Sequence, residues 1–194
     1  MTDAATLTRR WVELLVVGEG LCPFAEPVMP GLRIDVCEHP DLDQATAEFM
    51  DLLTEVARAD ADALPTALFV VPGLVKEFDE YWNWSLICEQ LLVQMGYEGL
   101  LQLATFHPNY CFDGEPLDDP GNFTNRSPFP MLHIIREAHI EQALASVPFP
   151  ERIPVRNQKH LRRLGIQGVL ALMPALVDTA VLSDQPAGRC SPQE

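Results

Sequence analysis

The spacing of hydrophobic and polar residues predicts alternating strands and helices over the first half of the chain. Residues 33–38 (RIDVCE) alternate as in a short strand, and residues 66–71 (TALFVV) form an unbroken apolar run typical of a strand buried on both faces. Between them, apolar residues recur every three or four positions from Leu42 to Val56, which predicts a helix. A second helix is predicted from about Glu77 to Met95, and a third strand from Leu100 to Phe106.

Strands joined by single helices normally run in the same direction, because the helix carries the chain back to the starting end of the sheet. The sequence therefore predicts an α/β fold with one domain, residues 1–182, and a central, mostly parallel sheet of about four strands with flanking helices. Residues 131–136 form either a fourth strand or part of a helix, since their periodicity fits both. A long functional loop follows the third strand, and residues 183–194 are expected to be a disordered tail.

The segment from Phe106 to Glu137 has the composition of a functional loop, because His, Cys, Asn, Arg and Pro residues crowd into an irregular stretch. It contains Phe-His-Pro, then Thr-Asn-Arg-Ser-Pro-Phe-Pro, then Leu-His and Arg-Glu, and Leu-Cys-Pro-Phe-Ala lies near the N-terminus. These strings resemble an uncharacterised bacterial family, the domain of unknown function numbered 1415, from about Trp11 to Gly165. The resemblance implies no reaction, substrate or cofactor.

Two histidines are the candidate catalytic residues. His107 follows the third predicted strand, at the edge of a parallel sheet where ligands bind, and it could exchange protons near neutral pH. The alternative is structural, since a His before a proline often hydrogen-bonds nearby backbone. His133 is the second candidate. On a helix it would share a face with Arg136, whereas on a strand it would be a hydrogen-bonded core residue.

Four residues are candidates for binding a substrate: Asn125, Arg126, Ser127 and Arg136. An amide, a hydroxyl and a guanidinium together can hold a carboxylate or a phosphate. The alternative is that Asn125 and Ser127 brace the proline turn that follows, while Arg126 pairs with one of the many acids. The sequence contains neither a dinucleotide-binding fingerprint nor a pair of closely spaced cysteines, so no cofactor is assigned.

The net charge of −15 is unevenly distributed, with −17 over residues 1–120 and +2 over residues 121–194. Such an acidic protein repels phosphate backbones, which argues against nucleic-acid binding. No apolar run is long enough to span a membrane, and the N-terminus is a poor export signal. The five widely spaced cysteines favour reduced thiols. We therefore expect an acidic cytoplasmic protein, and its oligomeric state does not follow from the sequence.

Three hypotheses about function follow. The first is a small enzyme, a hydrolase or group transferase, that acts on a small anionic metabolite, with Asn125 and Arg126 holding the anion and His107 as acid or base. The second is a non-catalytic binding or adaptor protein, in which the same loop is a rigid platform. The third is a metal-binding protein that uses Cys22, Cys111 and the two histidines, although no metal-ligand spacing motif accompanies them and no metal residues are assigned.

Overall fold

The computed structural model describes residues 3–145 and 147–178, and the helices and strands follow the predicted order. The helices are α1 (Ala4–Trp11), continued by a π-helical segment (Val12–Val17), α2 (Ala25–Val28), α3 (Leu42–Arg58), α4 (Phe78–Gln94), α5 (Glu137–Leu144) and α6 (Ile153–Leu172). Short 3-10 helices lie at Met29–Gly31, Pro120–Thr124, Pro150–Arg152 and Pro174–Asp178. The strands are β1 (Leu32–Val36), β2 (Thr66–Val70), β3 (Leu101–Phe106) and β4 (Met131–Arg136). The predicted tail, residues 183–194, lies outside the described residues.

Local sequence signals set the helix ends. The Asp41 side chain accepts a hydrogen bond from the Gln44 backbone N–H at 3.0 Å, which caps the start of α3. Asp3 caps α1 in the same way through Thr6, at 2.8 Å. Gly165, with φ +71°, breaks the helical course of α6 in a conformation that favours glycine.

The sheet has the order β1-β2-β4-β3, with β1 and β2 parallel and β4 antiparallel to both of its neighbours. The prediction of an α/β fold is confirmed, whereas the prediction of a mostly parallel sheet is wrong, because the sheet is mixed. β1, β2 and β3 do run in the same direction. β4 separates β2 from β3, so β1 and β2 are the one parallel pair of neighbouring strands in this sheet.

The connection between β3 and β4 explains this difference. Residues 107–130 contain only a short 3-10 helix, so the chain does not return to the far end of the sheet as it would through a crossover helix. β4 therefore pairs back along β3, with Phe106 opposite Met131 and Leu101 opposite Arg136. Residues 131–136 are a strand, which places His133 and Arg136 on opposite faces of the sheet.

Hydrophobic clusters cover both faces of the sheet. On one face, Phe69 packs with Phe49 of α3 and Trp84 of α4. On the other face, Leu68 and Val70 belong to a cluster with Trp11, and α6 also contributes to it. β2 is buried at every residue for this reason, which explains its unbroken apolar sequence. No helix in the described part of the chain is long and apolar enough to cross a membrane.

Candidate functional site

The loop of residues 107–130 leaves β3 and enters β4 at the edge of the sheet where β1, β2 and β3 end. Tyr81 of α4 holds both ends of this loop, because its hydroxyl donates to the Met131 carbonyl at 2.8 Å and accepts from the Phe106 N–H at 2.9 Å. The indole N–H of Trp11 donates to the Arg126 carbonyl at 3.1 Å. Tyr81 and Trp11 are both buried, so the loop is fixed to α4 and to α1. These hydrogen bonds could not be predicted from the sequence, in which Tyr81 and Trp11 look like ordinary buried aromatic residues of the core.

His107 is completely buried beneath the loop. Its Nδ1 accepts the Asn109 N–H at 3.0 Å, so the ring proton is assigned to Nε2, which donates to the Val75 carbonyl at 3.1 Å. The rings of Phe78 and Tyr81 pack against the imidazole. Burial lowers the His107 pKa to about 4, so the ring is neutral at physiological pH. Both nitrogens bond to backbone, and this geometry favours the structural interpretation of His107.

The backbone that receives this hydrogen bond has an unusual conformation. Val75 has φ +42°, a region that costs a β-branched residue conformational energy. Its side chain is buried, and its carbonyl accepts the His107 N–H. The buried side chain and the His107 hydrogen bond together hold the chain between β2 and α4 in this conformation.

Arg126 is also buried, with 1% of its surface exposed. Its Nε donates to the Tyr110 carbonyl at 2.9 Å, its Nη2 donates to the Leu117 carbonyl at 2.6 Å, and its guanidinium lies 5.3 Å from the centre of the Phe123 ring. Burial lowers the Arg126 pKa to about 10, and the nearby carboxylate of Asp118 opposes this shift. The side chain therefore stays charged at neutral pH, and it joins two separate turns of the loop.

The remaining polar residues of the loop also bond to backbone. The Asn125 amide donates to the Thr105 carbonyl at 3.0 Å, and the Ser127 hydroxyl donates to the Phe129 carbonyl at 2.7 Å. Ser127 thus braces the proline turn that follows it, as in the alternative raised from the sequence, whereas Asn125 ties the loop to β3 instead. Asn122 also braces the loop, although the sequence did not single it out. Its side chain accepts the Phe112 N–H at 3.1 Å and donates to the Pro116 carbonyl at 2.9 Å.

His133 lies within β4 rather than on the loop. Its Nε2 bonds to the Thr66 hydroxyl at 2.6 Å, and that hydroxyl donates in turn to the Ile134 carbonyl at 2.8 Å. The imidazole is therefore the donor in the first bond. Burial lowers its pKa to about 4, as for His107. His133 thus has the hydrogen-bonded environment expected for a strand residue, and no ring contact joins it to His107 among the described aromatic pairs.

Arg136 lies at the opposite end of the sheet from the loop. Its Nε donates to the Leu64 carbonyl at 3.1 Å, and its Nη2 donates to the carbonyls of Ala59, at 3.0 Å, and Val56. Val56 and Ala59 belong to the last turn and the C-cap of α3, where a positive charge is favourable. The structure does not bring Arg136 together with His107 or Arg126.

We expect Arg136→Met to destabilise the protein, because the carbonyls at the end of α3 would lose their buried donor. The cost should be about 2–3 kcal/mol, since hydrogen bonds from charged groups contribute more than neutral ones. Urea unfolding would measure it. Arg58→Met is the matched control, since Arg58 is exposed in the last turn of the same helix and should change stability by less than about 1 kcal/mol. Equal losses for both variants would contradict the buried cap.

The cysteines give little support to the metal-binding hypothesis. Over residues 3–145 and 147–178, no group of three or more His, Cys, Asp or Glu side chains is placed to hold a metal ion. Cys22, Cys37 and Cys88 are free thiols.

Comparison with known proteins places the chain in one family. A family model described as "Protein of unknown function (DUF1415)" matches residues 3–171, which is most of the chain. No curated protein and no solved structure matches it.

Proposed function

We propose that this member of the DUF1415 family of proteins of unknown function is a non-catalytic binding protein. In this proposal the loop of residues 107–130 is a structural brace at one end of the sheet. Partner binding takes place on the surface of the acidic body instead. The proposal takes up the second of the three hypotheses that the sequence raised, except that the second hypothesis made the loop itself the platform.

One observation carries the proposal: the polar side chains of the loop pattern are committed to backbone. His107, Asn125, Arg126 and Ser127 each donate to a backbone carbonyl. A catalytic acid, base or anion ligand has to contact its substrate, so these groups would first have to give up buried hydrogen bonds. Leaving those carbonyls unpaired would cost free energy, which favours a packing role for the loop rather than a reactive one.

The first hypothesis, a hydrolase or group transferase for a small anionic metabolite, stays a prediction, and it makes a different forecast about ligands. An anion held by Asn125 and Ser127 would stabilise the folded protein by mass action, by about 2.7 kcal/mol at one hundred times its dissociation constant. If the same residues only brace the loop, an added anion would not stabilise the folded protein.

A thermal-shift experiment with inorganic phosphate and malonate separates these forecasts. We expect no rise in the melting temperature up to about 10 mM of either probe, and we expect Asn125→Ala to melt several degrees lower because the Thr105 carbonyl loses its donor. Glu80→Ala, on the exposed side of α4, is the matched surface control. A rise of several degrees in the wild type that disappears in Asn125→Ala would overturn the binding-protein proposal in favour of the enzyme.

A further inference from the structure

We infer that the open edge of β1 binds an extended segment of a partner protein with basic residues at alternate positions. The inference rests on the proposed function and names the chemistry of its partner. It follows from the hydrogen-bonding groups of β1, from the clefts beside them and from the charges that line those clefts.

Among the described strands, β1 lies at the edge of the sheet and pairs with β2 alone. The Cys37 N–H donates to the Val70 carbonyl at 2.8 Å, so the backbone groups of the odd-numbered residues of β1 point toward β2. The backbone groups of Leu32, Ile34 and Val36 consequently point outward. Arg9 donates to the Leu32 carbonyl at 3.1 Å, which leaves the N–H and carbonyl groups of Ile34 and Val36 available to an added strand.

Clefts lie on both sides of this edge. Toward α3 there is a cleft of about 390 Å³, lined by β1 and by the exposed face of that helix. Toward α1 there is a second cleft of about 320 Å³, which Ile34 shares with residues of that helix. An added strand points its successive side chains alternately to the two faces of a sheet. Its side chains would therefore enter the two clefts in turn.

The cleft toward α3 is acidic. Asp35 of β1 and Glu48, Asp51 and Glu55 of α3 line it, together with Arg33. Arg33 shows what this cleft accepts, since its guanidinium bonds both oxygens of Asp35, at 2.7 and 2.8 Å, and also bonds Glu55. His39 Nε2 lies 3.3 Å from a carboxylate oxygen of Glu48. Asp51 is therefore the carboxylate best placed to bind a Lys or Arg side chain of an added strand.

The cleft toward α1 has a different lining, which determines the side chains favoured at the other alternate positions of the added strand. Ile34 lies beside Arg9, Arg10 and Glu13, together with the small residues of the helix start. Positive side chains would meet two arginines there, whereas apolar or small ones would pack on Ile34 and on the arginine stems. The favoured segment is therefore basic toward α3 and apolar toward α1.

A second copy of this chain fits the edge less well. Antiparallel pairing of two β1 strands about Ile34 would place Arg33 opposite Asp35 of the other copy, which is favourable. It would also bring the two α3 helices side by side, with Glu48, Asp51 and Glu55 of each copy facing the same acids. Like charges at this spacing repel, and each chain already carries −15. A basic partner meets no such repulsion.

The test uses the full chain and the peptide Val-Lys-Val-Lys-Val-Lys-Val, with the same peptide carrying Glu for Lys as its comparison. Amide hydrogen exchange followed by NMR gives the decisive readout. Binding of the lysine peptide should slow exchange at Ile34 and Val36, whose N–H groups point outward. It should leave Arg33 and Asp35, already bonded to β2, little changed. Loose electrostatic attraction would not produce this alternation.

Three variants locate the contact. Asp51→Lys should weaken binding of the lysine peptide by about tenfold or more, whereas Glu89→Lys, which makes the same charge change on α4 away from the clefts, should weaken it far less. Ile34→Pro removes an outward N–H without breaking the ladder to β2 and should abolish protection at Val36. Circular dichroism and the melting temperature would confirm that each variant folds.

Several results would overturn the inference: no binding of the lysine peptide, equal weakening by Asp51→Lys and Glu89→Lys, or protection elsewhere than Ile34 and Val36. A wild-type dimer in sedimentation that Ile34→Pro dissociates would assign the edge to a second copy instead. None of these results bears on the loop. Failure of the proposed function would appear separately, as anion stabilisation that depends on Asn125.

Discussion

Arg126→Met is expected to melt about 9 °C below the wild type, because the loop would lose the side chain that joins two of its turns. The methionine fills a similar volume but leaves the carbonyls of Tyr110 and Leu117 without their buried donors. We expect a loss of about 3 kcal/mol, which corresponds to a shift of about 3 °C per kcal/mol for a chain of this length. This loss is smaller than the full cost of two unpaired carbonyls, because the substitution also removes a buried charge.

Arg163→Met serves as the control for this prediction. Arg163 is exposed on α6, so its replacement should shift the melting temperature by no more than about 2 °C. Calorimetry or circular dichroism on both variants would measure the difference. If Arg126→Met melted within about 2 °C of the wild type, the guanidinium would not be structural, and the hypothesis that Arg126 binds an anion would regain support.

Acid is expected to weaken the protein sharply through His107. The unfolded chain protonates this histidine near the ordinary pKa of 6.5, whereas the buried ring resists protonation until its pKa of about 4. Between these values the unfolded state binds more protons, so the free energy of unfolding falls as the pH falls from about 6.5 to about 4. The loss through His107 alone approaches about 3 kcal/mol, at 1.36 kcal/mol for each unit of pKa difference. His133 shifts stability in the same direction.

Urea unfolding of the wild type and of His107→Gln at pH 7.5 and at pH 5 would measure this contribution. The variant starts from a lower stability, because glutamine does not reproduce both hydrogen bonds of the ring. It should nevertheless lose about 2 kcal/mol less than the wild type between the two pH values, since it has no imidazole to protonate. Equal losses would show that His107 titrates normally, as an accessible acid or base would.

The two predictions concern stability because the side chains of His107 and Arg126 bond to backbone. His107 and Arg126 are among the few buried residues that carry a titratable or charged side chain. Their hydrogen bonds tie the connection between β3 and β4 to neighbouring backbone. The loop has little regular structure of its own, and side-chain bonds to its carbonyls replace the hydrogen bonds that a helix or strand would supply.

The order and type of α3, α4 and the first three strands could be predicted from the sequence, since each depends on local spacing, whereas the spacing of residues 131–136 fitted both a strand and a helix. Apolar residues at helical spacing predicted α3, and the unbroken run at 66–71 predicted a strand buried on both faces, which is observed at Thr66–Val70. The location of the loop, between β3 and β4, also followed from its irregular composition.

The roles of the loop residues could not be predicted in the same way. His107 and Arg126 have side chains that serve equally as reactive groups or as hydrogen-bond donors to backbone, and only their neighbours decide between these uses. Those neighbours are distant in sequence: Val75 for His107, and Trp11 for the Arg126 carbonyl. Asn122 went unnoticed because an asparagine in a loop usually gives no sign of burial.

By itself the sequence determined α3, α4, the first three strands and the place where the chain becomes irregular, because these depend on interactions between residues a few positions apart. Only the tertiary structure decided that residues 131–136 form a strand between β2 and β3, that Arg136 caps α3 rather than joining the loop, and that no described strand pairs with the outer edge of β1. Strand order and side-chain partners depend on contacts between distant segments. Many arrangements satisfy the same local pattern, and the packing of both faces of the sheet selects one of them.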